Sequence, residues 1–174
     1  APRCLTPLVI IWIPVPSKEK LEADPFILDT GEGGFDILFE DYSLSDACGK
    51  IVVMSLDKQF RVINKKLLLD TGSHLSYPFI YREAGKIFVF PESASAGSLC
   101  CYEYDPVKKE FIFLKEVIKE PLLDSTIIFH QNKYWLFATR KGSWSDQQLH
   151  LYSADSLLGE YKPHPCNPLV DDIS

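Results

Sequence analysis

Asp24, Tyr77 and Asp124 are the residues whose types and spacing best suit chemistry. Each opens a short apolar run: Asp24-Pro25-Phe26-Ile27-Leu28, Tyr77-Pro78-Phe79-Ile80-Tyr81 and Asp124-Ser125-Thr126-Ile127-Ile128-Phe129. Aligned on Pro25, Pro78 and Ser125, the runs recur at periods of 53 and 47 residues. A second apolar run follows each, and in two copies it ends on an acid, Glu40 or Glu92. Carboxyl groups from separate repeats can be brought to opposite sides of one bond. Cleaving a glycosidic bond needs such a pair, one group kept protonated by its surroundings and the other acting as base or nucleophile. Asp24, Asp124 and Glu92 are the candidates for that work. Candidate substrate contacts are Glu40, a substitute carboxylate; His74, in a loop beside the second run; Tyr77; Arg140, a clamp for a carboxylate or phosphate; and Trp144, a sugar-stacking platform in a polar loop. Each also has a plainer use. An Asp before Pro caps turns, Glu40 and Glu92 could be solvated strand ends, and Tyr77 could be packing with its hydroxyl satisfied.

The elements that must position these groups are strands. In residues 74–93 two apolar runs flank Glu83-Ala84-Gly85, where Gly85 is free to take positive φ. Little alternation within the runs implies strands covered on both faces. Each copy continues alike, with a third strand (51–56, 99–104 and 149–153), a turn marked by Asp57, Asp105 or Asp155, and a fourth segment opening at Phe60, Phe111 or Tyr161. Four strands repeated at this period are the signature of propeller blades. No convincing amphipathic helix supports a βαβ alternative. The expectation is one partial all-β domain, a β-propeller whose blades have four antiparallel strands. The blades cover about 23–69, 70–120 and 121–164, with 165–174 leading toward a further blade. An edge strand is expected within 8–13, and polar loops at 42–49 and 141–148 should lie on an open face. Inner-strand starts converge around a central channel, so Asp24, Tyr77 and Asp124 should share one mouth.

Net charge is −6 and no Lys/Arg run or basic stripe appears, so nothing attracts nucleic acid or an anionic membrane surface. The longest uninterrupted apolar stretch, 8–13, falls far short of the roughly 20 residues of a spanning helix. Five cysteines at irregular spacing do not form a disulfide framework, which points to packed thiols in a reducing, cytoplasm-like setting. No CxxC, HExxH or His/Cys cluster calls for a metal, and no cofactor is implied.

The motifs ADPFI, HLSYPFIY, FPES, PLLDSTIIF, KYWLF and LGEYKPHPCNPLV resemble the propeller domain at the N-terminus of plant glucosamine inositolphosphorylceramide transferases. That domain is similar to the five-bladed propellers of glycoside hydrolase family 43. The resemblance implies a carbohydrate-directed propeller of which this chain holds three blades, the rest coming from a longer chain or a second copy. It also implies roles. Asp24 matches the first-blade carboxylate, the base or water-orienting group. Asp124 matches the third-blade position, where those enzymes carry a glutamic acid as proton donor. The second-blade aspartate is replaced by Tyr77. Three functions follow: a hydrolase-type glycan-processing enzyme, a sugar-recognition module accessory to a glycosyltransferase, or a partner-binding propeller without a sugar site.

Overall fold

The computed structural model describes residues 10–13, 18–31, 33–142 and 147–171. Three antiparallel sheets follow one another along the chain. The first runs β1 (Lys20–Asp29), β2 (Phe35–Ser43), β3 (Cys48–Leu56), β4 (Val62–Leu69). The second runs β5 (Ser76–Glu83), β6 (Lys86–Glu92), β7 (Leu99–Asp105), β8 (Glu110–Ile118). The third runs β9 (Leu122–His130), β10 (Lys133–Arg140), β11 (Gln148–Ala154) and the short β12 (Lys162–Pro163). Spatial order equals chain order in each sheet, and β13 (Val170–Asp171) also pairs with β11. Between β12 and β13, the Asn167 side chain bonds both N and O of Leu151, so residues 165–171 lie along the third sheet. Three four-stranded meanders in series are propeller blades, as the repeat implies.

The hairpins show why the strands turn where they do. Ala84 and Gly85 both take positive φ between the paired Glu83 and Lys86, and Gln131 and Asn132 do the same between His130 and Lys133. Two successive left-handed residues make the type I′ turn, whose twist matches that of the strands it joins. The polar loop expected over 42–49 is shorter than the residue types suggest. Tyr42 pairs with Gly49 and Ser43 with Cys48, leaving residues 44–47 as the turn, built on Ser43 Oγ bonds to Ser45 and Asp46. Ile10 to Ile13 form no strand, although Ile13 packs on the first sheet; the rest of that expected edge strand lies outside the described residues.

The core lies between the sheets, because each inner strand is apolar on both faces. Leu28, Leu38 and Val53 of the first sheet meet Val89 and Tyr104 of the second. Phe88, Phe90 and Leu99 of the second meet Ile127, Leu136 and Tyr152 of the third. A polar clasp ties the first two sheets at the end opposite the candidate mouth. Buried Asp36 accepts hydrogen bonds from Ser55 Oγ (2.7 Å), Tyr104 OH (2.9 Å) and Lys109 Nζ (2.5 Å). The four described cysteines are free thiols, and burial pushes Cys101 up to about 12. Among the described residues no helix is long and apolar enough to cross a membrane.

Candidate functional site

Each innermost strand breaks register at the residue singled out by the repeat. Between Ala23/Glu40 and Phe26/Leu38 two residues of β1 oppose one of β2. The same two-against-one step occurs between Ser76/Glu92 and Phe79/Phe90, and between Leu123/Thr139 and Thr126/Phe137. These are β-bulges, and the first bulged residue of each is Asp24, Tyr77 or Asp124, with φ of 51°, 38° and 49°. A left-handed residue at the head of a bulge re-aims its side chain away from the sheet's alternation. For residues with a Cβ that conformation costs on the order of 1–2 kcal/mol, and aspartate tolerates it better than tyrosine. Pro25 and Pro78, second in their bulges, have no N–H to leave unpaired.

The second strands add the next ring of groups. Glu40 opposes Ala23, Glu92 opposes Ser76 and Thr139 opposes Leu123, so the two glutamates and Thr139 are equivalent. Hydrogen bonds stitch the three sheets together around this opening. Tyr77 N–H donates to Asp24 Oδ2 (3.3 Å), the Tyr77 hydroxyl meets Thr126 Oγ1 (3.0 Å), and its ring stands edge-on to Phe26. Tyr77 is therefore a strap across all three blades. Ser76 Oγ donates to Glu92 Oε2 (2.9 Å). His74 lies before β5, its Nδ1 accepting Gly49 N–H (3.0 Å) and its Nε2 3.8 Å from Glu40 Oε1.

Electrostatics put Asp24, Glu40, Glu92 and Asp124 in one another's field. Burial, then the charges of Asp24, Glu92 and Asp124, push Glu40 from its ordinary 4.5 to about 7. Glu92 is also raised, first by burial and then by Asp124 and Asp24, against the opposing Ser76 hydrogen bond and the charge of Lys141. Asp124, the most open of the four, is raised by partial burial and then by Asp24, an effect that water at its open side tempers. Burial and Lys141 hold His74 below its ordinary value, with Asp24 pulling the other way. Among the described residues no group of three or more His, Cys, Asp or Glu is set to hold a metal ion.

The structure thus gathers Asp24, Glu40, His74, Tyr77, Glu92 and Asp124. Arg140 is instead engaged by Glu120, with Nε 3.1 Å from the Oε2 that also accepts the Tyr152 hydroxyl. Trp144 lies outside the described residues. Gly49, Thr126 and Lys141 escaped the sequence reading. Lys141 directly follows the equivalent second strand, a signal that was there to use. Nothing local marks Gly49, whose role depends on a residue 25 positions away.

The family described as "Glucosamine inositolphosphorylceramide transferase 1, N-terminal" matches residues 13–173. Glucosamine inositolphosphorylceramide transferase 1 of Arabidopsis thaliana is 34% identical over 153 residues, which are 86% of this chain. The chain spans about a fifth of that relative's length, 20%. Among solved structures, an exo-β-1,3-galactanase from Phanerochaete chrysosporium bound to galactose matches with a TM-score of 0.69 at 14% identity, over 85% of this chain and 36% of the other. A thermostable family-43 glycoside hydrolase matches with a TM-score of 0.63 at 18% identity, over 86% of this chain and 56% of the other. Identities this low speak for the fold, and the fold they share is the propeller of glycoside hydrolase family 43. With nearly its whole length matched, the chain belongs to the family of N-terminal domains of glucosamine inositolphosphorylceramide transferases.

Proposed function

We propose that the mouth receives a glycan and that its carboxylates equip the domain for hydrolase-type chemistry there. One observation carries this reading: acidic side chains from three successive sheets share one electrostatic neighbourhood, and three of the residues around it sit on left-handed bulges. Conformations of that cost persist where the side chain must be aimed. Asp24, with the Tyr77 N–H turned toward its carboxylate, suits the base or water-orienting role. Glu92, Asp124 and Glu40, all three raised, are the carboxyls suited to proton delivery. Asp24→Asn should abolish turnover of a susceptible aryl glycoside while leaving the Tm nearly unchanged. Undiminished turnover would remove Asp24 from the chemistry.

A second reading, sugar recognition without turnover, is favoured by Tyr77. It stands where the second blade of a hydrolase offers a carboxylate, and its hydroxyl is already taken by Thr126. In that case the domain presents a glycan to a transferase carried on a longer chain, as the relatives' name suggests. Calorimetry would then show glycan binding, weakened in Asp24→Asn, with no hydrolysis by either protein. The first sheet's outward cluster, Phe39, Val52, Met54 and Leu56, suits packing by a further blade of that longer chain.

A further inference from the structure

Four carboxylates share the mouth, and they are unequally provided for. Asp24 receives the Tyr77 N–H. Glu92 receives the Ser76 hydroxyl and lies in the field of Lys141. Asp124 is open to solvent. Glu40 lacks such a donor and is largely buried. It is 7% exposed, and among the described residues no donor reaches it within hydrogen-bonding distance. His74 Nε2 stands 3.8 Å from its Oε1. A largely buried carboxylate without donor or cation is costly to ionise, so its proton is held more tightly than that of an ordinary glutamate.

A histidine beside a glutamate ordinarily turns cationic and draws that proton away. His74 is held from doing so. The Gly49 N–H points at Nδ1 from 3.0 Å, and a nitrogen accepting that bond cannot carry a proton of its own. The imidazole is therefore neutral, with its hydrogen on Nε2, the side facing Glu40. The seat is built around a close approach. A Cβ on Gly49 would collide with the Glu40 carboxylate and the Leu75 carbonyl. Leu75 N–H in turn donates to Gly49 O (3.0 Å), so β3 is laced to the segment carrying His74. The Tyr42 ring stands edge-on against the imidazole at 5.9 Å.

Resting on the reading that a glycan occupies this mouth, we propose that Glu40 is its proton-donating carboxyl and that His74, locked neutral by Gly49, is a positioning residue that stands beside it without drawing that proton away. In binding, the Glu40 O–H donates to a glycan oxygen. In turnover, that proton passes to the glycosidic oxygen as its bond to the anomeric carbon breaks and the electron pair leaves with the oxygen. Water adds to the carbon and gives its proton to Asp24, after which both carboxyls exchange protons with solvent. The groups facing Glu40 are Asp24 from β1, Glu92 from β6, Asp124 from β9 and His74 from the loop before β5. Burial first, and then the three acids, oppose its ionisation, in keeping with its rise to about 7.

The test is NMR titration of the whole protein labelled with ¹³C at glutamate carboxyls and ¹⁵N at histidine. One glutamate should titrate near neutrality and vanish in Glu40→Gln, while His74 shows the neutral Nε2–H tautomer. His74→Asn, whose Oδ1 can still accept the Gly49 N–H, should leave the Glu40 midpoint in place. His74→Lys, which brings to this position the cation that Gly49 denies the imidazole, should lower it by roughly a unit or more. Glu40 titrating with ordinary glutamates, or His74 found as imidazolium at neutral pH, overturns the proposal. Binding of methyl glycosides of galactose, glucosamine and glucuronic acid should weaken several-fold as pH rises through the Glu40 midpoint. It should be flat with pH in Glu40→Gln, whose amide still donates. Binding by the wild type that is flat with pH overturns the donor role. If none of these glycosides binds, the glycan reading fails and the titration alone decides where the proton resides.

Discussion

Replacing Glu40 by Gln tests the electrostatics of the mouth without any ligand. In the folded protein burial and the neighbouring acids push the Glu40 carboxyl from 4.5 up to about 7, so the folded state binds its proton more tightly than the unfolded chain does. The associated stability is therefore present in full below the unfolded value and is lost as pH rises through the folded one. At about 1.36 kcal/mol per unit, the shift corresponds to an upper bound of about 3 kcal/mol. Water and salt at the open mouth screen part of that, leaving about 1–2 kcal/mol. Glutamine keeps the size and hydrogen-bonding character of the protonated acid and never ionises. Glu40→Gln should therefore match the wild type in acid and exceed it by that amount above neutrality. Urea unfolding across the pH range, followed by tryptophan fluorescence, measures the difference. A constant difference across pH, or a variant less stable than the wild type at alkaline pH, would refute the reasoning. The expected gain also implies that the native glutamate is held at a stability cost, as functional groups commonly are.

Lys109→Met should lose about 2–4 kcal/mol in urea unfolding, because it leaves the buried Asp36 charge with only Ser55 and Tyr104 as donors. Adding Asp36→Asn should recover part of that loss, and a single variant as stable as the wild type would deny the clasp any role. Gly49→Ala should lower the Tm, since its methyl group must displace the Glu40 carboxylate or the Leu75 carbonyl. It should also bring the Glu40 midpoint closer to that of ordinary glutamates. Tyr77→Phe should lose about 1 kcal/mol with the Thr126 bond while keeping any glycan affinity. A large loss of affinity at unchanged stability would instead place the hydroxyl on the ligand.

The repeat was legible because its signals are local. The apolar runs, the turn residues of 83–85 and 131–132, and the recurring Asp57, Asp105 and Asp155 all act within a few positions of themselves. They sufficed to order the strands and to align Asp24, Tyr77 and Asp124. The residue types misled where side chains built structure from polar groups. Ser43, Ser45 and Asp46 read as a long loop, yet they fold into a four-residue turn between paired strands. Arg140, read as a clamp for a carboxylate or phosphate, pairs with Glu120.

Sequence alone determined that three like sheets form and which residues of the inner strands are equivalent, since both follow from spacing along one dimension. The strands themselves begin earlier, at Lys20, Ser76 and Leu122. Tertiary structure decided what those residues become. The left-handed bulges arise only when neighbouring strands pair out of step. Tyr77 turned into a strap because Asp24 and Thr126 arrive from other sheets. Glu40 is pushed up to about 7 because the fold buries it while Asp24, Glu92 and Asp124 close in from β1, β6 and β9. Protonation is set by charge and burial in three dimensions, and no pattern along the chain records that sum.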